Sequence, residues 1–171
     1  MNVLVTGFGP FPGVEVNPTE TLVRALDGRH LGRARIVGAV LPVSYRRGPA
    51  MALAAARGCD AALVLGFGVA TARDQVWVER RGRFVARGRP DVDHEEEPDL
   101  APVPEVRATV DCEALARALG AGLSDDAGDY VCNAWLHRVA HGLAVPVGFV
   151  HVPSASIDVE RAARAIEALV G

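Results

Sequence analysis

A thiol placed where a helix begins is the sharpest chemical feature of this sequence. Cys132 lies in Gly128-Asp129-Tyr130-Val131-Cys132-Asn133, where a short apolar run meets a helical pattern. The pattern predicts a strand over 129–131 and a helix over 133–142. At such a junction the first-turn N–H groups are unpaired and the positive end of the helix dipole is close; both favour the thiolate. The same N–H groups can hold an oxyanion. A buried packing cysteine explains the position alone equally well. Cys59, ahead of an apolar strand, and Cys112, just inside a helix, lack polar company and read as packing residues.

A cysteine nucleophile needs a base and a third group to orient that base. Of the five histidines, His30 and His94 sit in polar segments. His137 and His141 are four apart on one predicted helix, the spacing of a zinc pair. Arg138-Val139-Ala140 between them lacks the glutamate of the metalloprotease motif, so no metal is expected there. His151 closes the apolar run 145–150 and precedes Val152-Pro153. It therefore falls at the C-terminal end of a predicted strand, where parallel α/β sheets carry their sites. A core histidine bonded to backbone is the competing reading. Glu79 is embedded in Val76-Trp77-Val78-Glu79. A carboxylate there either faces solvent or is buried against a partner such as His151. The loop Thr6-Gly7-Phe8-Gly9-Pro10-Phe11-Pro12-Gly13 spends Phe8 and Phe11 on a turn. They either fold inward or form an aromatic wall for a small flat ligand.

The elements that must position these groups alternate. Strands are predicted over 3–6, 35–42, 61–65 and 145–152, with one or two more within 75–85. Helices are predicted from Asn17-Pro18 to about Leu26, and over 46–57, 111–123 and 158–170. Residues 87–104 carry four prolines and an acidic run, and read as an excursion without helix. The alternation predicts one α/β domain over 1–171, a three-layer α/β/α sandwich around a mostly parallel, mixed sheet.

Composition narrows the chemistry. The 171 residues are 50% apolar, which suffices for a single core, and the net charge of −3 gives no reason to expect nucleic acid or an anionic membrane as partner. All 18 basic residues are arginine, which excludes a lysine Schiff base, a P-loop lysine and a lysine general base. No apolar run reaches membrane-spanning length, and the N-terminus reads as a first strand. Three irregularly spaced cysteines suggest a reducing, cytoplasmic home.

Three segments together resemble the pyroglutamyl peptidase I family, also called pyrrolidone carboxylate peptidases. Thr6-Gly7-Phe8-x-Pro10-Phe11 with Val16-Asn17-Pro18 is similar to the family's TGFxPF…NP. The stretch 128–133 is similar to its AGxYxCN, and Gly148-Phe149-Val150-His151-Val152-Pro153 to its GFIHVP. Glu79-Arg80 matches the Glu-Arg pair after the third strand. The resemblance implies Cys132 as nucleophile, His151 as base and Glu79 as the group orienting it. It implies that Phe8, Phe11, Tyr130 and Val131 line the substrate pocket, and that the substrate is a peptide with an N-terminal pyroglutamate. It implies no metal or cofactor, and a homo-oligomer. The segment 66–73 departs from the family's GxAGGR-like loop, Ala134 follows Asn133 where the family has His or Tyr, and Ser154 follows Pro153 where the family has an aromatic. Two other readings stand beside this one. One is a family member with a shifted substrate, or one that binds a lactam-like ligand without turnover. The other is a nucleotide-binding module, against which Pro10 and Pro12 argue.

Overall fold

Helices cover both faces of a seven-stranded sheet in a computed structural model that describes residues 1–155 and 157–171. The strands are β1 (Asn2–Phe8), β2 (His30–Leu31), β3 (Ala34–Leu41), β4 (Ala61–Val69), β5 (Trp77–Glu79), β8 (Gly122–Ser124) and β9 (Val147–Val152), in the order β2-β3-β1-β4-β9-β5-β8. The central four, β3, β1, β4 and β9, are mutually parallel; β5 runs antiparallel to β9, and β2 antiparallel to β3. The short strands β6 (Arg81–Arg83) and β7 (Glu105–Arg107) form a separate antiparallel pair.

The two layers of helix separate cleanly. Helices α1 (Pro18–Leu26), α3 (Cys112–Leu119) and α5 (Val159–Val170) bury Leu22, Leu26, Leu115, Leu119 and Ile166 on one face. Helices α2 (Arg47–Gly58) and α4 (Val131–Gly142) bury Ala52, Leu53, Trp135 and Leu136 on the other. The mostly parallel, mixed sheet and the three layers agree with the sequence expectation. Trp135 is fully buried against Phe149, with ring centroids 5.2 Å apart. Truncating it to alanine costs about 3–5 kcal/mol, so α4 is held to the sheet at its middle while its first turn is left to the site.

Three expected boundaries are corrected. No strand forms over 129–131. Gly128 has a φ of +82° and its N–H bonds Asp126 Oδ1 at 3.0 Å, which makes a turn, and Tyr130 donates its hydroxyl to the Pro90 carbonyl at 3.1 Å. The helix consequently starts at Val131, and Cys132 lies inside its first turn instead of ahead of it. The helix expected to run to residue 123 stops at Leu119, because Gly120 closes it in the left-handed region at φ +62°. The freed residues 122–124 become β8 beside β5. β2 and β7, two and three residues long, carry no periodicity that a sequence window can detect.

Candidate active site

Register on the sheet brings the imidazole and the carboxylate together. In the antiparallel pairing of β5 with β9, Trp77 opposes His151 and Glu79 opposes Phe149. His151 and Glu79 are therefore diagonal neighbours on one face, the face that α4 covers. His151 Nδ1 lies 2.7 Å from Glu79 Oε1, and both side chains are buried. With Nδ1–H donating to the carboxylate, Nε2 is the free nitrogen.

The thiol comes from above. Cys132, half-buried in the first turn of α4, shares a cleft of about 300 Å³ with His151. Tyr130, the N-cap, contributes no side-chain acceptor to the first-turn amides, which stay available. Burial opposes the charged form of His151. The adjacent Cys132, by charge and hydrogen bond, and then Glu79, by hydrogen bond and charge, outweigh it and raise the imidazole to about 9. His151 is thus cationic at neutral pH.

Room for the sulfur is made by a missing side chain. Gly68, opposite His151 in the parallel β4–β9 register, would place a Cβ 2.6 Å from Cys132 Sγ and 2.8 Å from the Phe149 ring. Gly66, two residues earlier on the same face, makes the corresponding room for Trp135. The i, i+2 glycine pair within a buried strand was the sequence signal for close approach.

Arg73 is a further member that the sequence did not single out. Its Nη1 lies 2.6 Å from Glu79 Oε1, the same oxygen that His151 uses, while Nη2 donates to Ser124 Oγ at 3.2 Å and to the Asp126 carbonyl at 2.8 Å. Glu79 Oε2 is buried without a partner among the described residues. Arg73 therefore ties the carboxylate to the segment leading into α4. It lies at the end of the stretch that departs from the family loop, which hid it from a motif comparison. Arg80 bonds Asp125 and holds β5 to the end of β8. Asn133, beside the thiol, clasps Arg83 in both directions, accepting from its N–H at 2.8 Å and donating to its carbonyl at 2.9 Å.

The four expected pocket residues converge. Phe8, Phe11, Tyr130 and Val131 line a small apolar slot together with Cys132, Val43, Val69 and Asn17, with about 20 Å³ of free space. Phe8 and Val131 are buried; Phe11 and Tyr130 are half-buried, with ring centroids 6.4 Å apart. The loop carrying the two phenylalanines is pinned by Asn17. Its Oδ1 accepts from Thr19 N at 3.0 Å, its Nδ2 donates to the Gly9 carbonyl at 3.0 Å, and Thr19 Oγ1 accepts from Phe8 N at 2.9 Å. The cap thus occupies an amide at the start of α1 that a phosphate would need, which counts against the nucleotide-binding reading.

The remaining candidates lie elsewhere. His137 is buried on α4 with Nε2 3.0 Å from the Val103 carbonyl, and His141 is exposed. Among the described residues no group of three or more His, Cys, Asp or Glu side chains could hold a metal ion. Burial pushes the Cys112 thiol up to about 11 and also raises Cys59, so both favour the unreactive protonated form.

Thiol, cationic imidazole and buried carboxylate, meeting at strand ends under a helix N-terminus, have the layout of a cysteine hydrolase. Comparison with known proteins narrows the class. The pyroglutamyl peptidase family model matches residues 1–164, and the chain belongs to that family. It is 32% identical over 172 residues to a pyrrolidone-carboxylate peptidase of Halalkalibacterium halodurans, covering 89% of this chain and 83% of that one. It is 33% identical to the Mycobacterium tuberculosis pyrrolidone-carboxylate peptidase, covering 88% and 76%. The solved pyrrolidone carboxyl peptidase of Thermococcus litoralis superposes with a TM-score of 0.86 at 29% identity, covering 99% of this chain and 91% of that one.

Proposed function

We propose that this chain is a cysteine peptidase that removes an N-terminal pyroglutamyl residue from peptides, with Cys132 as nucleophile, His151 as acid–base and Glu79 as the orienting carboxylate. The observation that carries the reading is the 2.7 Å contact of His151 Nδ1 with the buried Glu79, on the imidazole that shares the cleft with Cys132. A protein that only bound a lactam would have no use for a buried ion pair behind a thiol. This favours turnover over the non-catalytic alternative.

The mechanism follows from the geometry. The Cys132 thiolate attacks the pyroglutamyl carbonyl and forms a C–S bond, while the first-turn amides of α4 face the developing oxyanion. His151 gives its Nε2 proton to the leaving nitrogen, the C–N bond breaks, and the shortened peptide departs with a free amine. Water, activated by the now neutral imidazole, hydrolyses the thioester and releases pyroglutamate. Glu79 keeps Nδ1 protonated throughout. A pyroglutamyl group has no ammonium to neutralise, and the slot of Phe8, Phe11, Tyr130 and Val131 offers no charge. With about 20 Å³ free, the slot must widen to admit a lactam ring, and Phe11, half-buried on its loop, is the wall with room to move.

The same reading takes residues 1–171 as one unit and places it in a reducing cytoplasm, supported by three unpaired thiols. No helix is long and apolar enough to cross a membrane among the described residues. Self-association is part of the proposal, supported by an apolar groove of Val16, Pro18, Leu22 and Ile157 on which Val16 is 79% exposed. Sedimentation of the purified chain tests it.

A fluorogenic pyroglutamyl amide tests the activity. The wild type should release the fluorophore, iodoacetamide should block it, and Cys132→Ala should abolish it. A wild type that alkylates at Cys132 yet leaves the amide intact would overturn the substrate while sparing the nucleophile. Undiminished turnover by Cys132→Ala would overturn the mechanism.

A further inference from the structure

Two arginines line the cleft beside Cys132, and they are held differently. Arg73 is engaged by Glu79, Ser124 and Asp126. Arg89 is exposed, and its guanidinium carbon lies 4.5 Å from the centroid of the Tyr130 ring, two residues before the nucleophile. Stacking uses the face of the guanidinium and leaves its N–H edges free. Among the described residues no carboxylate pairs with those edges, and no side-chain hydrogen bond engages them.

The backbone beneath Arg89 is fixed. Tyr45 donates its hydroxyl to the Arg89 carbonyl at 2.8 Å. Two residues on, the buried Asp91 accepts from Tyr45 N at 2.7 Å, Asp93 N at 2.8 Å and Glu95 N at 3.0 Å. Gly88 packs so closely that a Cβ there would lie 2.8 Å from the Asp129 carbonyl. The excursion at 87–104 thus holds a free cation over the cleft on a rigid support.

Its position relative to the thiol says which part of a substrate it meets. The apolar slot that reaches Cys132 takes the acyl group, and Arg89 does not line that slot. It lines the open cleft, the space left for the leaving portion. The geometry points to Arg89 as a subsite for a carboxylate carried by the residue that follows the scissile bond, an inference that rests on the pyroglutamyl reading above. That carboxylate is either the α-carboxylate of a dipeptide or an acidic side chain. Of the two acids lining the cleft, Asp126 is paired with Arg83, whereas Asp129 has no ion-pair partner among the described residues and opposes an incoming anion.

Matched substrates test this. Pyroglutamyl-alanine is compared with its amide, and pyroglutamyl-glutamate amide with pyroglutamyl-glutamine amide. In at least one pair the acid should have the higher kcat/KM, by about fivefold at low ionic strength, and the ratio should shrink as salt is added. The pair showing the preference identifies the source of the carboxylate. Arg89→Met, which still covers Tyr130, should bring the ratio to about one, and Asp129→Asn should raise it. A ratio of one in the wild type, or one that survives in Arg89→Met, overturns the inference while the neutral amides are still cleaved. Failure to cleave any of the four overturns the pyroglutamyl reading and this subsite with it.

Discussion

His137 and His151 are both buried, both on elements that pack in the same core, and their chemistry is opposite. His151 meets a thiol and a carboxylate and is raised to about 9. His137 meets one carbonyl, Val103, and an aromatic edge, Phe84, and burial lowers it. Desolvation acts against the charged form at both sites; only a charged partner reverses the outcome. The linkage to stability therefore has opposite signs. For His151 the folded value exceeds the unfolded one. Its contribution is complete below about 6.5 and is lost as pH rises through about 9. For His137 the folded value is the lower. Its contribution is complete above about 6.5 and is lost as pH falls through the folded value.

The strongest way to break the contrast is to remove the charge behind His151. Glu79→Gln keeps the shape but leaves an amide opposite Nδ1. We expect kcat/KM for a pyroglutamyl amide to fall by about a hundredfold or more. In the proposed mechanism the imidazolium donates a proton to the leaving amine, so the wild type should lose activity as pH rises through about 9. In Glu79→Gln that alkaline limb should move to lower pH, making His151 more like His137. A limb that stays in place would show that Cys132 alone sets the imidazole.

Arg73 sharpens the same contrast by a smaller step. It shares Oε1 of Glu79 with His151, and that carboxylate is fully buried. Without the guanidinium, the buried Glu79 loses one of the two cations that share its Oε1 and is no longer tied to Ser124 and Asp126, so it holds His151 less firmly. Arg73→Gln should lower kcat by about tenfold, with an alkaline limb between those of the wild type and Glu79→Gln. Arg73→Lys should recover only part of the loss. An ammonium cannot reach Glu79, Ser124 and the Asp126 carbonyl together. Full recovery by lysine would reduce the role of Arg73 to charge alone.

The two histidines also mark what could be read from the sequence. His151 was legible because an apolar run ending in His-Val-Pro sets a strand end, and strand ends are where such sheets present side chains. Cys132 was legible as a helix-start thiol, though its helix begins two residues earlier than periodicity suggested, because the Gly128 turn and the Tyr130 contact with Pro90 lie outside any local pattern. Glu79 was left between a solvent-facing and a buried reading, since the pairing that decides it is between strands 72 residues apart. Arg73 and Arg89 were invisible for a related reason: Ser124 and Asp126, which hold one, and the aromatic ring under the other come from distant segments. His137 could be named as a candidate but not dismissed by spacing alone; its carbonyl partner lies in the proline-rich excursion, which has no periodicity to read.

The smallest expected effect comes from the histidine that the proposed mechanism does not use. His137 Nδ1 is buried without a partner among the described residues, so the side chain already leaves one polar atom unsatisfied. His137→Leu forfeits the Val103 hydrogen bond and removes that orphan, two changes of similar size and opposite sign. At pH 8 we expect stability to change by no more than about 1 kcal/mol. Below about 6.5 the two proteins should diverge: the wild type must protonate or strain a buried imidazole as pH falls, and the variant has none to protonate there. Melting temperatures measured across the acid range should therefore fall more steeply for the wild type than for His137→Leu. The alkaline limb of activity should coincide in the two proteins, since the charged network behind His151 is untouched. Equal acid sensitivity in both would mean that the acid loss comes from paired carboxylates such as Asp125 with Arg80 and Arg81, whose carboxyl those guanidinium groups hold below its ordinary range.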